Sequence, residues 1–217
     1  MRDCFFIVAD ANMEHTLGGL LSRERFELTL ECHRFAFDPR LDLLRAVGDN
    51  DPGLLRRIDS YVRPARTSHS HLVVVIDADW SGSPGAATIR SQIIDACQRS
   101  GWAEHDVAAA VIDPELETWI WQDSPIVEKA LGYAGRSLRQ ELASSGAWPL
   151  TSAKPARPKE TLEAELRRRR IPRSSALYRQ VAQQVSVKNC VDPAFTALRA
   201  ALQRWFPLPP VGPSTEP

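Results

Sequence analysis

Cysteine is scarce and scattered. Its four copies, Cys4, Cys32, Cys97 and Cys190, lie far apart with no Cys-x-x-Cys pair. That excludes zinc-finger spacing and a disulfide framework, and implies reduced, buried thiols in a cytoplasmic protein. No apolar run approaches the ~20 residues that span a bilayer, so no membrane partner is expected. The opening run from Cys4 to Val8 stops at Asp10 and reads as a first strand rather than a signal peptide. There is no internal repeat, no glycine-rich Walker loop, no Gly-x-Ser-x-Gly elbow and no Cys–His nucleophile signature. The histidines (His15, His33, His69, His71, His105) lack metal-ligand spacing, and His69 and His71, just ahead of an apolar run, are expected at its solvent edge. An excess of charge is missing too: 27 Lys and Arg balance 27 Asp and Glu.

What is present is a chain of 217 residues, 43% hydrophobic and 25% charged. This is the composition of a soluble globular protein, with room for one α/β domain and an appended lobe. The zero net charge hides an asymmetry. Residues 150–205 carry twelve Lys and Arg against four Asp and Glu, whereas residues 1–149 carry fifteen against twenty-two. An acidic half joined to a basic half suits a polyanionic substrate, although Arg167 to Arg170 alone also fits a solvated helix face.

Periodicity predicts strands at 4–9, 31–37, 72–76 and 107–112, with helices at about 12–22, 52–62 and 86–100 between them. Strands alternating with helices indicate a parallel α/β sheet. From Pro114 onward the pattern is helical, at 114–122, 124–131, 135–143, 159–169, 174–186 and 193–205, with a long loop over 144–158. The expected organisation is an α/β core at 1–122, a basic helical C-terminal lobe at 123–206 and a proline-rich tail at 207–217.

The most informative stretch is His71-Leu-Val-Val-Val-Ile-Asp77-Ala-Asp79-Trp-Ser-Gly-Ser-Pro-Gly85. An unbroken β-branched run reads as a buried central strand, and two carboxylates appear where it gives way to a loop. Residues i and i+2 of an extended segment share a face, so Asp77 and Asp79 are expected to converge at the strand's carboxyl end, where open α/β sheets bind ligands. Like charges held close need a cation or a proton, and hard oxygen donors suit Mg²⁺ or Mn²⁺. The competing reading makes one of them a helix cap and the other a solvated turn residue. On the basic side, Lys154, Arg157 and Lys159 cluster around the long loop as a candidate nucleic-acid grip.

An acid also follows the first strand, in Phe5-Phe-Ile-Val-Ala-Asp10-Ala-Asn-Met-Glu14. With Asp77 and Asp79 this resembles the layout of a Toprim domain, and the chain is similar to the DUF4276 and RloB-type groups found among prokaryotic defence genes. Asp113-Pro-Glu115-Leu-Glu117-Thr-Trp119-Ile-Trp121 resembles their Phe-Glu-x-Trp segment, Pro158-Lys159 their downstream Pro/Lys segment, and Tyr178-Arg-Gln-Val with Cys190-Val-Asp-Pro-Ala-Phe195 their C-terminal end. The likeness covers nearly the whole chain. It departs at Asp10-Ala11, where those groups carry Glu-Gly.

The resemblance implies a Toprim-like parallel sheet and a metal-dependent nuclease or phosphodiesterase of antiphage defence. DNA is favoured over RNA as substrate, and other defence proteins are possible partners. Asp77, Asp79 and Asp10 would be metal ligands. Asp10, or Glu14 one helical turn on, would handle the proton, with Glu117 and Lys159 completing the catalytic set. Glu117 equally fits a helix-terminal acid that favours the dipole. The alternative is a non-catalytic member of a defence complex that keeps the fold and binds nucleic acid or a protein. Haloacid-dehalogenase-like phosphatases also use Asp-x-Asp, but on their first strand, and here that strand offers only Asp10.

Overall fold

The computed structural model describes residues 1–48, 50–133 and 137–209; most of the expected tail, 210–217, lies outside that set. Four strands, β1 (Arg2–Val8), β2 (Leu43–Arg45), β3 (His69–Asp77) and β4 (Val107–Ile112), form one all-parallel sheet in the order β2-β1-β3-β4. The expected parallel α/β sheet is present. Leu72 to Ile76 of β3 are wholly buried, as a central strand covered on both faces requires.

Between the strands run α1 (Ala11–Leu21), the short α2 (Phe26–Leu30), α3 (Asp51–Ala65) and α4 (Ala86–Arg99). The chain moves outward from β1 to β2 and then back across to β3, so right-handed crossovers put α1 and α3 on opposite faces. The later helices are α5 (Glu117–Ile120), α6 (Pro125–Ala130), α7 (Leu138–Ser144), α8 (Pro158–Arg169), α9 (Ser175–Gln184) and α10 (Pro193–Trp205). Among the described residues, no helix is long and apolar enough to cross a membrane.

The expected strand at 31–37 is not formed. α2 occupies 26–30, Glu31 closes it in the left-handed conformation (φ 57°), and the second strand is Leu43–Arg45. The apolar spacing that suggested a strand buries Cys32 and Phe35 by packing instead. The Phe35 ring lies 4.8 Å from that of Phe26 and 4.5 Å from that of Phe206. His69 and His71 also depart from expectation. His69 is only 4% exposed and bonds Asp42 at 3.0 Å, while His71 stacks on Trp205 with ring centroids 4.5 Å apart.

The C-terminal helices share the core of the sheet. One continuous set of buried apolar side chains includes Val73 and Ile76 as well as Tyr178, Phe195 and Leu198. α9 lies along α1, and α10 covers β4 and reaches α2. The α1–α9 contact depends on Gly19, where an added Cβ would stand 2.8 Å from the Arg179 carbonyl oxygen and 3.2 Å from the Ala182 Cβ. At Gly18 the nearest atoms are 3.6 Å away, an ordinary contact.

These neighbours respond oppositely to the same change. Gly19→Ala should force α9 off α1 and lower stability by about 1–3 kcal/mol, as overpacking does. Gly18→Ala should leave stability unchanged or raise it by up to ~1 kcal/mol, because glycine is a poor helix former. Thermal melts of the two variants check this; equal losses would mean that the close approach at Gly19 does not hold the helices together.

Candidate functional site

β1 and β3 pair with Phe6 opposite Val73 and Val8 opposite Val75. Continued by two residues, that register sets Asp10 beside Asp77 at the carboxyl edge of the sheet. Asp77 closes β3, and the site is built around it. Its carboxylate Oδ1 is buried without a hydrogen-bond partner. Burial first, and then the charges of Asp51, Glu117, Asp10 and Glu115, push its pKa well above the ordinary range. Such a group is destabilising in isolation, and it stands at the carboxyl edge of a parallel sheet, where open α/β folds bind ligands, which makes it the candidate site.

Four acids surround it. Asp10 caps α1, its Oδ1 accepting the Met13 N–H at 2.8 Å; the cap reading and the site reading are therefore compatible, since one oxygen serves the helix. Asp51 opens α3 and accepts the backbone N–H of Asp77 at 2.9 Å; burial raises its pKa, and Asp10 adds to the rise. Glu115 takes the Lys159 backbone N–H at 3.1 Å and the Lys159 ammonium at 3.3 Å, so it caps α8 while neutralising its first lysine. Glu117 is 3% exposed and accepts from Arg173 at 2.9 Å and from the Tyr178 hydroxyl. Burial and the Glu117 charge push the Tyr178 phenol upward, which keeps it a donor. Burial likewise leads the rise at Glu115, with Glu117 adding and Lys159 opposing.

The fold thus brings together Asp10, Asp77, Glu117 and Lys159 of the expected set. It does not bring in Asp79, which is exposed and is not among the acids acting most strongly on Asp77. The reason is local. β3 ends at Asp77; the Ala78 N–H is shared between the Ile112 carbonyl at 2.7 Å and the Pro114 carbonyl at 3.2 Å, and the Asp79 N–H turns to the Pro114 carbonyl at 3.1 Å, so the two-residue alternation stops before it reaches Asp79. Glu14 faces β2 instead, with Arg45 at 3.2 Å. Lys154 departs from the expected loop-borne grip: its ammonium is largely buried and donates to the Trp121 carbonyl, and burial lowers its pKa. Arg157 is exposed immediately before α8. The Arg167–Arg169 run is engaged with Glu163, Glu165 and Glu141.

Asp51, Glu115, Arg173 and Tyr178 are residues of the site that the sequence reading did not assign to it. Asn50-Asp51-Pro52 carries the signature of a helix start, which hides a second role for its acid. Trp119 and Trp121 are both buried in the core. Their indoles donate to Asp192 at 2.7 Å and to the Pro158 carbonyl at 2.8 Å, the latter locating the start of α8.

The donor set is all oxygen, which suits Mg²⁺ or Mn²⁺, and the partnerless Asp77 oxygen fits a ligand role. Among the described residues, no three His, Cys, Asp or Glu stand in a ready-made coordination geometry, so binding requires side-chain adjustment. No family model, curated protein or solved structure matches the chain.

Because its folded pKa is raised, Asp77 holds its proton more tightly in the folded than in the unfolded state. Its carboxyl therefore imposes no penalty below the unfolded pKa, and a growing one as pH rises from there toward the folded value. Metal-free Asp77→Asn should be more stable than the wild type at pH 7, with the difference shrinking as pH falls toward 4. Thermal melts in EDTA across that range test it; a wild type that is more stable at every pH would show that Asp77 is satisfied within the fold.

Proposed function

We propose that the chain is a Toprim-like, metal-dependent nuclease or related phosphodiesterase of prokaryotic antiphage defence. The observation that carries this reading is the half-buried Asp77 carboxylate with one enclosed, unpartnered oxygen, ringed by four acids and flanked by Lys159 and Arg173 at the carboxyl edge of a parallel sheet.

Asp77 and Asp10, with Asp51 beside them, are the residues that would hold Mg²⁺ or Mn²⁺. The cation would supply charge stabilisation at the phosphoryl group and lower the pKa of a bound water. The chain contributes the rest. Lys159 and Arg173 are partly exposed cations held at the mouth by Glu115 and Glu117, placed to exchange a carboxylate for a phosphate oxygen. Tyr178 and Arg173 lock Glu117, so that acid acts as a fixed charge. Asp10, whose Oδ1 is committed to the α1 cap, has its second oxygen for a cation or a proton.

A second reading has one observation in its favour. Two of the five acids are already neutralised internally by Lys159 and Arg173, which suits a non-catalytic member of a defence complex that retains the fold. Incubating purified protein with DNA and RNA in EDTA, Mg²⁺ or Mn²⁺ separates the two. Cleavage should require the divalent ion and fall at least ~100-fold in Asp77→Asn and in Asp10→Ala, in line with charge and proton-transfer contributions. Glu14→Ala should keep full activity. Metal-independent cleavage, or equal Mn²⁺ affinity in the wild type and Asp77→Asn, would remove this reading; nucleic-acid binding without cleavage would select the second.

A further inference from the structure

β4 lies at the edge of the sheet, and among the described residues no strand pairs with its outer side. Ala110 to Ile112 are closed off, but Val107 to Ala109 keep 5–9% exposure, and over that stretch the outer side of the strand is a short template for another strand. Here that edge forms the floor of a groove of roughly 650 Å³. α4 forms one wall and α10 the other, with Ile94 and Ala201 facing the space. The lining is built from small side chains, Ala108 and Ala109 on opposite faces of β4 and Ala197 and Ala201 on α10, which leaves room for the side chains of a guest. The groove runs from the amino-terminal end of β4, whereas the acidic site occupies the carboxyl edge, so the two are separate features.

Shape and charge select the occupant. Because helices flank the strand edge on both sides, a second copy would have to insert an equally recessed edge, and flat sheet-to-sheet joining is blocked; a single extended segment meets no such obstacle. Arg90 and Arg204 are exposed at the groove, with His105 and one carboxylate, Glu104, which already accepts from Gln98 at 3.2 Å. The cationic excess favours a guest bearing carboxylates. The chain's own C-terminal segment is poorly suited: Pro207, Pro209, Pro210 and Pro213 have no N–H to give to a ladder.

We propose that this groove binds an extended acidic peptide of a partner protein as a fifth strand beside β4. Its side chains turn alternately toward α4 and toward α10, apolar ones packing over Ala108 and Ala109 and carboxylates meeting Arg90 on one wall and Arg204 on the other. This is recognition by strand addition, in which backbone bonds carry affinity and the flanking pockets carry selectivity.

The test uses the full chain and fluorescent peptides of about eight residues, strand length, that repeat two valines and two glutamates or two valines and two lysines, so that each face carries both kinds. The wild type should bind the glutamate peptide at least ~10-fold more tightly than the lysine peptide, since like charges across an interface are penalised. Arg90→Glu/Arg204→Glu should reverse that order. Ala197→Trp, at an exposed position, should fill the groove and weaken the glutamate peptide by at least ~10-fold, as a filled pocket would; its thermal melt should match the wild type. No binding of the glutamate peptide, or undiminished binding by Ala197→Trp, overturns the proposal. So does a dimer in sedimentation that Ala197→Trp dissolves, which would assign the groove to a second copy. Displacement of the peptide by single-stranded DNA, lost in the same variant, would assign it to nucleic acid.

Discussion

The parallel pairing of β1 with β3 is the constraint from which the rest of the molecule follows. With Val8 opposite Val75, the chain cannot end those strands without setting two aspartates side by side, and every element around that edge then acts on the resulting charge. α1 begins on Asp10 and offers its N-terminal N–H groups to it, where the helix dipole favours an anion. α3 begins on Asp51, which is tied to the Asp77 backbone. α8 begins on Pro158, and the N–H of Lys159 in its first turn is held by Glu115. Three helix starts converge on one carboxylate cluster.

The opposite end of the same strands gives an internal control. Asp42 is more deeply buried than any acid of the site, at 0% exposure, yet its pKa lies below the ordinary value. Burial pushes it up, but Arg2, the Asp38 N–H and His69 more than compensate, with the Arg2 Nη2 bond at 2.6 Å and the His69 bond at 3.0 Å. One fold thus holds a fully buried aspartate saturated by partners and a half-buried one whose Oδ1 is enclosed without any. Asp42 shows that the sheet can satisfy such a group fully where structure is the only demand. At Asp77 one buried oxygen is left without a partner, which is the feature that makes it the candidate ligand position.

Much of the fold was legible because its strongest signals are local. The β-branched run to Ile76 can bury itself only as a central strand, and β4 and α10 fall at 107–112 and 193–205 as their periodicity dictates. The edge strand β2 was not legible. Three residues carry no period, and the apolar positions at Cys32 and Phe35 imitate one while serving side-chain packing. Within the site, Asp10, Asp77 and Glu117 could be read from their positions after strands. Asp79 could not be placed, because its fate rests on where the chain leaves the pleat, and that is decided by the Pro114 carbonyl some thirty-five residues away. Asp51 was hidden for a related reason. An acid at a helix start already has a local explanation, and only tertiary pairing adds the second.

The basic C-terminal segment changes meaning once its partners are known. As a tally it is a strong positive patch, but in the fold its cations are largely spent on the protein itself. Lys154 holds a carbonyl, Arg168 and Arg169 hold Glu165, Glu141 and the Tyr133 ring, and Arg173 spans Glu117 and Glu163. Charge counted along a sequence therefore overstates the field a polyanion would meet. What remains directional is the pair at the mouth of the site. Lys159 sits at the first turn of α8 and Arg173 just ahead of α9, and α9 is held in place by its close packing on α1 at Gly19. The C-terminal helices thus act less as a separate grip than as the wall that completes the acidic edge, carrying to it the two cations that a phosphate would have to draw away from Glu115 and Glu117.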